Sequence, residues 1–544
     1  MLPVTFDAAV IDPRSPRRRM AQMAAAPALL AAGAALLVYA ITLAGTYVYD
    51  DLAIVTLDPR VKSPALWSQF WTKDYFNGGL DNLYRPLVSM SYGIQWWLHG
   101  DRPWAFHLVN WLLHAAVAAA VAELTRRTVG RGAAYIAGLL FAVHPVHVEA
   151  VANIVGRAEL ACALGILAAL TLFAKRPLTF ARVMGIVVCE IVAVLSKEQG
   201  ILVPPMLAIY FWFVWRDDPR GAADSAAERA ALRWLVISVT WCTAGYLIWR
   251  EHFLRFDWDR SFLDWVLQPM VRCSPHDRVL MPLVLLGHYT QLLICPVKLS
   301  PDYGAKVIGW TVRLTDPYFG AGVAVALLWL IFTAIAIYRR RGFEAFCLLS
   351  LALSYGMIAN VIAILGCNMA ERWIYLPSAF FLMWLAIWIA GMPRPARLAL
   401  LIAIVTLASA RTFTYARRWN DRLTFYEQSL DEQPNSVQLY LLTAGELDAR
   451  HDYAAADAVM ARAAAVFPDA WHVWMRRAVI AMDAGRLDDA DRYLRRSFEL
   501  SPNPMVIAVS DRLDQLKAAR KAAATTPSKM TPRSGSPEGA RSSP

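Results

Sequence analysis

The sequence predicts an all-α, polytopic membrane protein: a helical domain of about 11 spans, followed by a short α-solenoid of repeats. Three observations carry this expectation. Hydrophobic residues make up 57% of the 544-residue chain and charged residues only 18%, against roughly 45–50% and about 25% in soluble globular proteins. Long apolar runs recur from Ala24 to Ala410, and a bilayer-spanning helix needs roughly 20 mostly apolar residues. Beyond Arg411 the chain turns polar, and Pro434, Pro468 and Pro502 follow one another at 34-residue intervals.

From the N-terminus, residues 1–23 form a tail in which Arg14, Arg17, Arg18 and Arg19 precede the first apolar run. Basic residues beside spans stay on the cytoplasmic side, so the N-terminus is predicted to be cytoplasmic. The run 24–44 is long for the apolar core of a signal peptide, and no clear A-x-A pattern precedes Tyr47. It is predicted to remain as the first span. The other predicted spans are 105–124, 133–143 with its flanks, 154–174, 183–195, 201–215, 233–250, 319–338, 343–364, 374–391 and 397–410. Lys/Arg-rich connections at 126–131, 175–182, 216–233, 339–341 and 394–397 are assigned to the cytoplasm. The connections 45–104, 144–152, 196–200, 251–318 and 365–373 then face outward. One further apolar stretch, 279–296, breaks the alternation and is read as a re-entrant or interfacial helix broken by Pro282 and Pro296.

The net charge of +11 lies mostly between spans. It orients the chain in the membrane and does not point to nucleic acid. The seven cysteines show no C-x-x-C spacing and fall mostly inside apolar runs, where they read as small core residues.

After the membrane domain, 24–412, the segment "HDYAAADAVMARAAAVFP" aligns with "GRLDDADRYLRRSFELSP". Ala456 pairs with Ala490 in this alignment, and Asp457 with Asp491. A 34-residue period with an alanine at the helix contact and a proline after the second helix is the tetratricopeptide signature. Tetratricopeptide repeats are therefore predicted over 413–516, and a disordered, Ala/Ser/Pro/Lys-rich tail over 517–544.

Chemistry-bearing residues cluster in the predicted outer connections. Asp50 and Asp51 sit where the first span leaves the membrane. Such a pair can take a proton from an acceptor hydroxyl or hold a metal, or simply cap a helix. Tyr84 and Arg85 follow in the same loop, and an arginine there can fork onto a phosphate or snorkel at the interface. His107, Asn110 and His114 share one helical face and suit hydrogen bonding between helices. "FAVHPVHVEAVANIVGRAEL" packs His144, His147, Glu149, Asn153, Arg157 and Glu159 into 16 residues. On one continuous helix Glu149, Asn153 and Arg157 would form a single polar ridge. Such a ridge needs partners or a polar ligand. Lys197 and Glu198 mark the tip of a tight hairpin, and Glu371, Arg372 and Tyr375 open a span. "LSPDYGAK" supplies Asp302 and Tyr303. No Gly-rich phosphate loop follows a strand, which argues against a nucleotide-binding domain.

Taken together, "YDD", "YRPL", "FHLVNWLLH", "FAVHPVHVEAVANIVGRAEL", "LSKEQ", "LSPDY", "AERWIYLPS" and "RTFTYARRWNDRLTFYEQSLDEQPNS" resemble the transmembrane and tetratricopeptide-repeat O-mannosyltransferases and their bacterial relatives. Those enzymes belong to the GT-C glycosyltransferase superfamily. The resemblance covers about 45–510. It implies a GT-C-like fold and transfer of a sugar, with inversion, from a polyprenyl-phosphate carrier to an acceptor hydroxyl on the periplasmic side. By this resemblance one of Asp50 and Asp51 is the catalytic base. Arg85, Arg157, Lys197 and Arg372 match motif positions assigned to the carrier phosphate. Tyr84, His147, Glu149 and Glu371 join them in the expected donor site. The implied partners are the lipid-linked sugar, a protein or glycan acceptor, membrane lipids, and a protein docked on the repeats. No cofactor is expected and no metal is indicated, although the aspartates are able to hold a divalent ion. The implied location is a bacterial inner membrane, with the repeats in the periplasm. Two other classes stand beside this one: a membrane scaffold whose repeats recruit a partner, and a carrier-lipid transporter, which would place its charges near the bilayer midplane.

Overall fold

The computed structural model describes residues 15–77, 82–216, 226–254, 265–266 and 268–525. The first 14 residues of the N-terminal tail, parts of the 216–233 and 251–318 connections, and the tail from 526 onward lie outside the described residues. The described residues form helices and turns, with no strand. They divide into two compact units, 1–439 and 440–544.

Among the described residues of the first unit, seven helices are long and apolar enough to cross a membrane: Ala25–Ala44, Pro103–Thr128, Ile154–Phe173, Ala226–Phe253, Pro317–Tyr338, Glu371–Ala390 and Arg394–Arg418. The pair Arg131–Val143 and Pro145–Ala152, bent by 51°, makes an eighth if counted as one broken span. Three of the predicted spans are shorter helices: Phe180–Ser196, Val203–Tyr210 continued to Trp215, and Gly342–Ile358. Helix starts follow local chemistry. Proline opens Pro86–His99, Pro103–Thr128 and Pro317–Tyr338, where its missing N–H costs nothing. Asp316 caps the third of these by accepting from the Tyr318 N–H at 2.8 Å.

The stretch 279–296 is not broken at Pro282. A continuous helix, Pro275–Ile294, carries that proline inside it and ends just before Pro296. It packs tightly on Pro317–Tyr338: a Cβ on Gly322 would lie 1.8 Å from the Leu283 carbonyl oxygen. Small residues likewise let Ser15–Tyr39, Pro103–Thr128 and Arg131–Val143 approach, since a Cβ on Gly138 would meet the Cβ atoms of Ala122 and Ala31 at 2.8 Å. Close packing of this kind replaces the hydrophobic effect, which is absent between helices in lipid.

The polar stretch 144–159 departs from the single helix of the sequence reading. It runs as Pro145–His147, Val148–Ala152, Ile154–Gly156 and then Arg157–Phe173. The chain turns extended at Asn153, and Gly156 sits where a Cβ would be 2.2 Å from the Ala150 carbonyl oxygen. Glu149 and Arg157 therefore do not share one helix face.

The boundary between the units falls at 439/440, whereas composition suggests 412/413. Helix Arg422–Glu432 belongs to the first unit, where the Tyr426 hydroxyl accepts the Tyr49 N–H at 3.0 Å. In the second unit, helices begin at Tyr453, Trp471 and Leu487, after Val437–Ala449 crosses the boundary. The starts at Val437 and Trp471, and those at Tyr453 and Leu487, keep the 34-residue interval. Ala456 and Ala490 are fully buried. The last helix, Pro504–Thr525, takes in residues 517–525, which the sequence placed in the disordered tail. Lys517 ties it down by an ion pair to Asp491 at 2.6 Å.

Candidate active site

A cavity of about 1110 Å³ opens in the first unit. Its wall is assembled from every one of the connections predicted to face outward except 144–152, together with the helix ends beside them. Asp50 comes from just after the first span, and Arg85 from the residue before helix Pro86–His99. Glu159 comes from the first turn of Arg157–Phe173, and Lys197 and Glu198 from the break after Phe180–Ser196. Arg250 ends Ala226–Phe253, Asp302 lies in the following connection, and Arg372 opens the span Glu371–Ala390. Drug-sized pockets measure about 300–1,000 Å³, so this one is large enough for a ligand of that size.

The polar side chains on this wall pair across long sequence distances. Arg372 Nη2 lies 3.5 Å from Asp50 Oδ2. The Arg372 backbone N–H donates to Glu149 at 2.7 Å, and its guanidinium pairs with the same carboxylate. Glu149 is fully buried, so it aims Arg372 from behind the wall. Arg85 donates to Glu198 at 3.1 Å and lies over the Tyr75 ring, 5.2 Å from its centroid. Lys197 pairs with Glu159.

Electrostatics outside the spans follow burial and pairing. Burial pushes the Asp51 carboxyl up to about 7, against the N–H groups of Val155 and Val48, which pull it down. For Glu198, burial also pushes upward, but the Arg85 guanidinium outweighs it and holds the carboxyl below its ordinary value. Burial draws the Lys197 ammonium down despite Glu159 beside it. It raises the Asp302 carboxyl, which accepts from the Ser436 hydroxyl at 2.5 Å.

Of the residues expected at the site, Asp50, Arg85, Lys197 and Arg372 line the cavity. The other six stand behind or beside it, each held by other groups of the protein. Asp51 is buried and accepts the Val48 N–H at 3.2 Å and the Val155 N–H at 2.9 Å. It pins the first outer loop to the turn before Arg157. Tyr84 is buried, donating to the Trp71 carbonyl at 3.0 Å and accepting from Trp249 at 2.7 Å. Arg157 donates to Asn110 Oδ1, Ser91 Oγ and the Phe106 carbonyl, and lies over the Tyr92 ring. His147 bonds the Phe141 carbonyl and Ser378 Oγ. Glu149 holds Arg372. Glu371 accepts from the Ser300 N–H and the Tyr303 hydroxyl.

His107, Asn110 and His114 do link segments, reaching Thr46, Asn153 and Tyr375 respectively. The site also contains residues the sequence did not single out: Tyr49, Tyr75, Tyr246, Arg250 and Trp373. For Arg250 the signal was available, a cation at the end of a span predicted to face outward, in "IWREHF". Among the described residues no group of three or more His, Cys, Asp or Glu side chains is placed to hold a metal.

The chain is similar to several protein O-mannosyl-transferases. The chain is 27% identical over 452 residues to a protein O-mannosyl-transferase of Caenorhabditis elegans, covering 78% of this chain and 61% of that one. It is 41% identical over 166 residues to a protein O-mannosyl-transferase of Mus musculus, covering 29% of this chain and 18% of the mouse protein. The chain thus spans about three fifths or less of these relatives' own length. No family model matches it. Among solved structures, ArnT from Cupriavidus metallidurans bound to undecaprenyl phosphate aligns over 91% of this chain and 78% of that one, at 14% identity and a TM-score of 0.43.

Proposed function

We propose that this chain is a membrane glycosyltransferase of the O-mannosyltransferase type, with its reaction centre in the cavity between Asp50 and Arg85. The observation that carries this reading is the cavity wall itself. Asp50, a partly exposed carboxylate paired with Arg372 at 3.5 Å, shares that wall with Arg85 and Lys197, and the three cations come from separate connections. The relatives' shared name and the motifs noted above support the same reading.

In this mechanism a polyprenyl-phosphate sugar enters from the outer leaflet along the cavity's apolar flank, where Ile248 and Ile362 are largely exposed. Arg372, Arg85 and Lys197 face the phosphate. Asp50 takes the proton of the acceptor hydroxyl as its oxygen attacks the anomeric carbon. The bond from that carbon to the phosphate oxygen breaks with its electron pair going to the phosphate, and the sugar is inverted. Cations aimed at that developing charge lower the barrier because their orientation is fixed beforehand. Asp50 suits the proton transfer better than Asp51, which faces two backbone N–H groups and not the cavity.

The acceptor is a protein Ser/Thr or a glycan hydroxyl in the periplasm, presented with help from tetratricopeptide repeats in the second unit. The test compares periplasmic glycoproteins and glycolipids in a deletion strain complemented by wild type or by Asp50→Asn. Loss of one glycosylated class, restored by wild type and not by the variant, is the expected result. Restoration by Asp50→Asn at the wild-type level would remove Asp50 from the mechanism.

A further inference from the structure

The two loop cations of the cavity each have a carboxylate of their own. Arg85 Nη2 lies 3.1 Å from Glu198 Oε2, and Lys197 Nζ contacts Glu159 Oε1. All four side chains line the same cavity. The second oxygens, Glu198 Oε1 and Glu159 Oε2, are buried and have no hydrogen-bond partner. This patch of wall carries two positive and two negative groups, so its formal charge is balanced.

The balance bears on which phosphate the site prefers. A phosphodiester carries one negative charge. A phosphate monoester carries close to two above neutral pH, since its second ionisation lies near about pH 6. Coulomb energy is linear in ligand charge. Bare cations would therefore hold the monoester tighter than the diester, and a nearby carboxylate repels the monoester about twice as strongly. In the transfer reaction proposed above, the donor is the diester and the spent carrier is the monoester. An uncompensated cation pair would thus be inhibited by its own product.

We infer that Glu198 and Glu159 are specificity-determining residues of the phosphate subsite, which bias it toward the phosphodiester donor and expel the spent monoester. They do this without touching the reacting carbon, by lowering the positive field of Arg85 and Lys197. The inference rests on reading this cavity as the donor site.

The test measures equilibrium binding to the purified full chain at about pH 8, where the monoester is doubly ionised. The two probes are a short-chain polyprenyl monophosphate and the methyl ester of the same phosphate. In Glu198→Gln the diester tightens by about threefold and the monoester by about its square, roughly tenfold. Glu198→Asp keeps the charge and the wild-type ratio. Glu159→Gln moves the ratio in the same direction and serves if Glu198→Gln fails to fold. Equal tightening of both probes, or none, overturns the inference while leaving the donor site in place. If wild type binds neither probe, or if Arg85→Ala and Lys197→Ala leave both affinities unchanged, the donor-site reading falls and this inference with it.

Discussion

Arg157 and Arg85 are both arginines of the first unit, and they differ in what surrounds them. Arg157 spends its guanidinium on Asn110, Ser91 and the Phe106 carbonyl, behind the cavity wall. Arg85 has one carboxylate partner, lies over the Tyr75 ring and lines the open cavity. The same contrast separates Asp51, held by two backbone N–H groups, from Asp50, paired at the rim with Arg372. Polar side chains in a membrane protein are costly and tend to be functional. Here that tendency covers two distinct jobs: the region behind the wall builds the frame, and the wall is where the proposed chemistry takes place.

The comparison breaks most sharply at the aspartates. Asp50→Asn is expected to lower turnover by about 10²–10⁴-fold, the usual contribution of a positioned base, while melting like wild type. An equal loss of folded protein would move Asp50 into the frame. Arg157→Met should show the opposite split. It strands three acceptors, so roughly 3 kcal/mol or more of stability is lost, seen as a lower melting temperature in detergent. The protein that remains folded should turn over normally. A specific loss of turnover in folded Arg157→Met would bring that arginine back to the site.

Arg372→Lys sharpens the contrast, because it keeps the charge and loses the planar fork that meets both Asp50 and Glu149. Turnover is expected to fall by about tenfold to a hundredfold, with little change in melting. The smallest effect concerns pH. The Asp51 carboxyl is raised to about 7 in the fold, above its unfolded value of about 3.9. The folded state therefore keeps a proton that the unfolded chain releases, and stability falls as pH rises through that window. Compared with Asp51→Asn, which cannot titrate, wild type should lose a few degrees of melting temperature between about pH 4 and 7. A flat difference across that range would show that the two backbone N–H groups hold Asp51 ionised throughout.

Much of this division was partly legible in the sequence. The density of polar residues in "FAVHPVHVEAVANIVGRAEL" drew notice to that stretch, and Asp50, Arg85, Lys197 and Arg372, which line the cavity, stand in connections predicted to face outward. A continuous helix would have put Glu149, Asn153 and Arg157 on one ridge. The breaks at Asn153 and Gly156 rotate them apart, so Glu149 reaches Arg372 and Arg157 reaches Asn110. Similarly, nothing in "YDD" distinguishes its aspartates until the Val155 N–H arrives from elsewhere in the chain.

Apolar runs, basic connections and the 34-residue helix interval are local properties of the chain. Hydropathy and periodicity act over one or two helices, so the sequence alone determined a helical membrane domain followed by helical hairpins. Which polar groups meet a ligand and which meet each other depends on partners far apart in the chain, 104 positions for Asp51 and Val155 and 223 for Arg372 and Glu149. Only the tertiary structure decided that, because burial and pairing are set by whatever packs alongside.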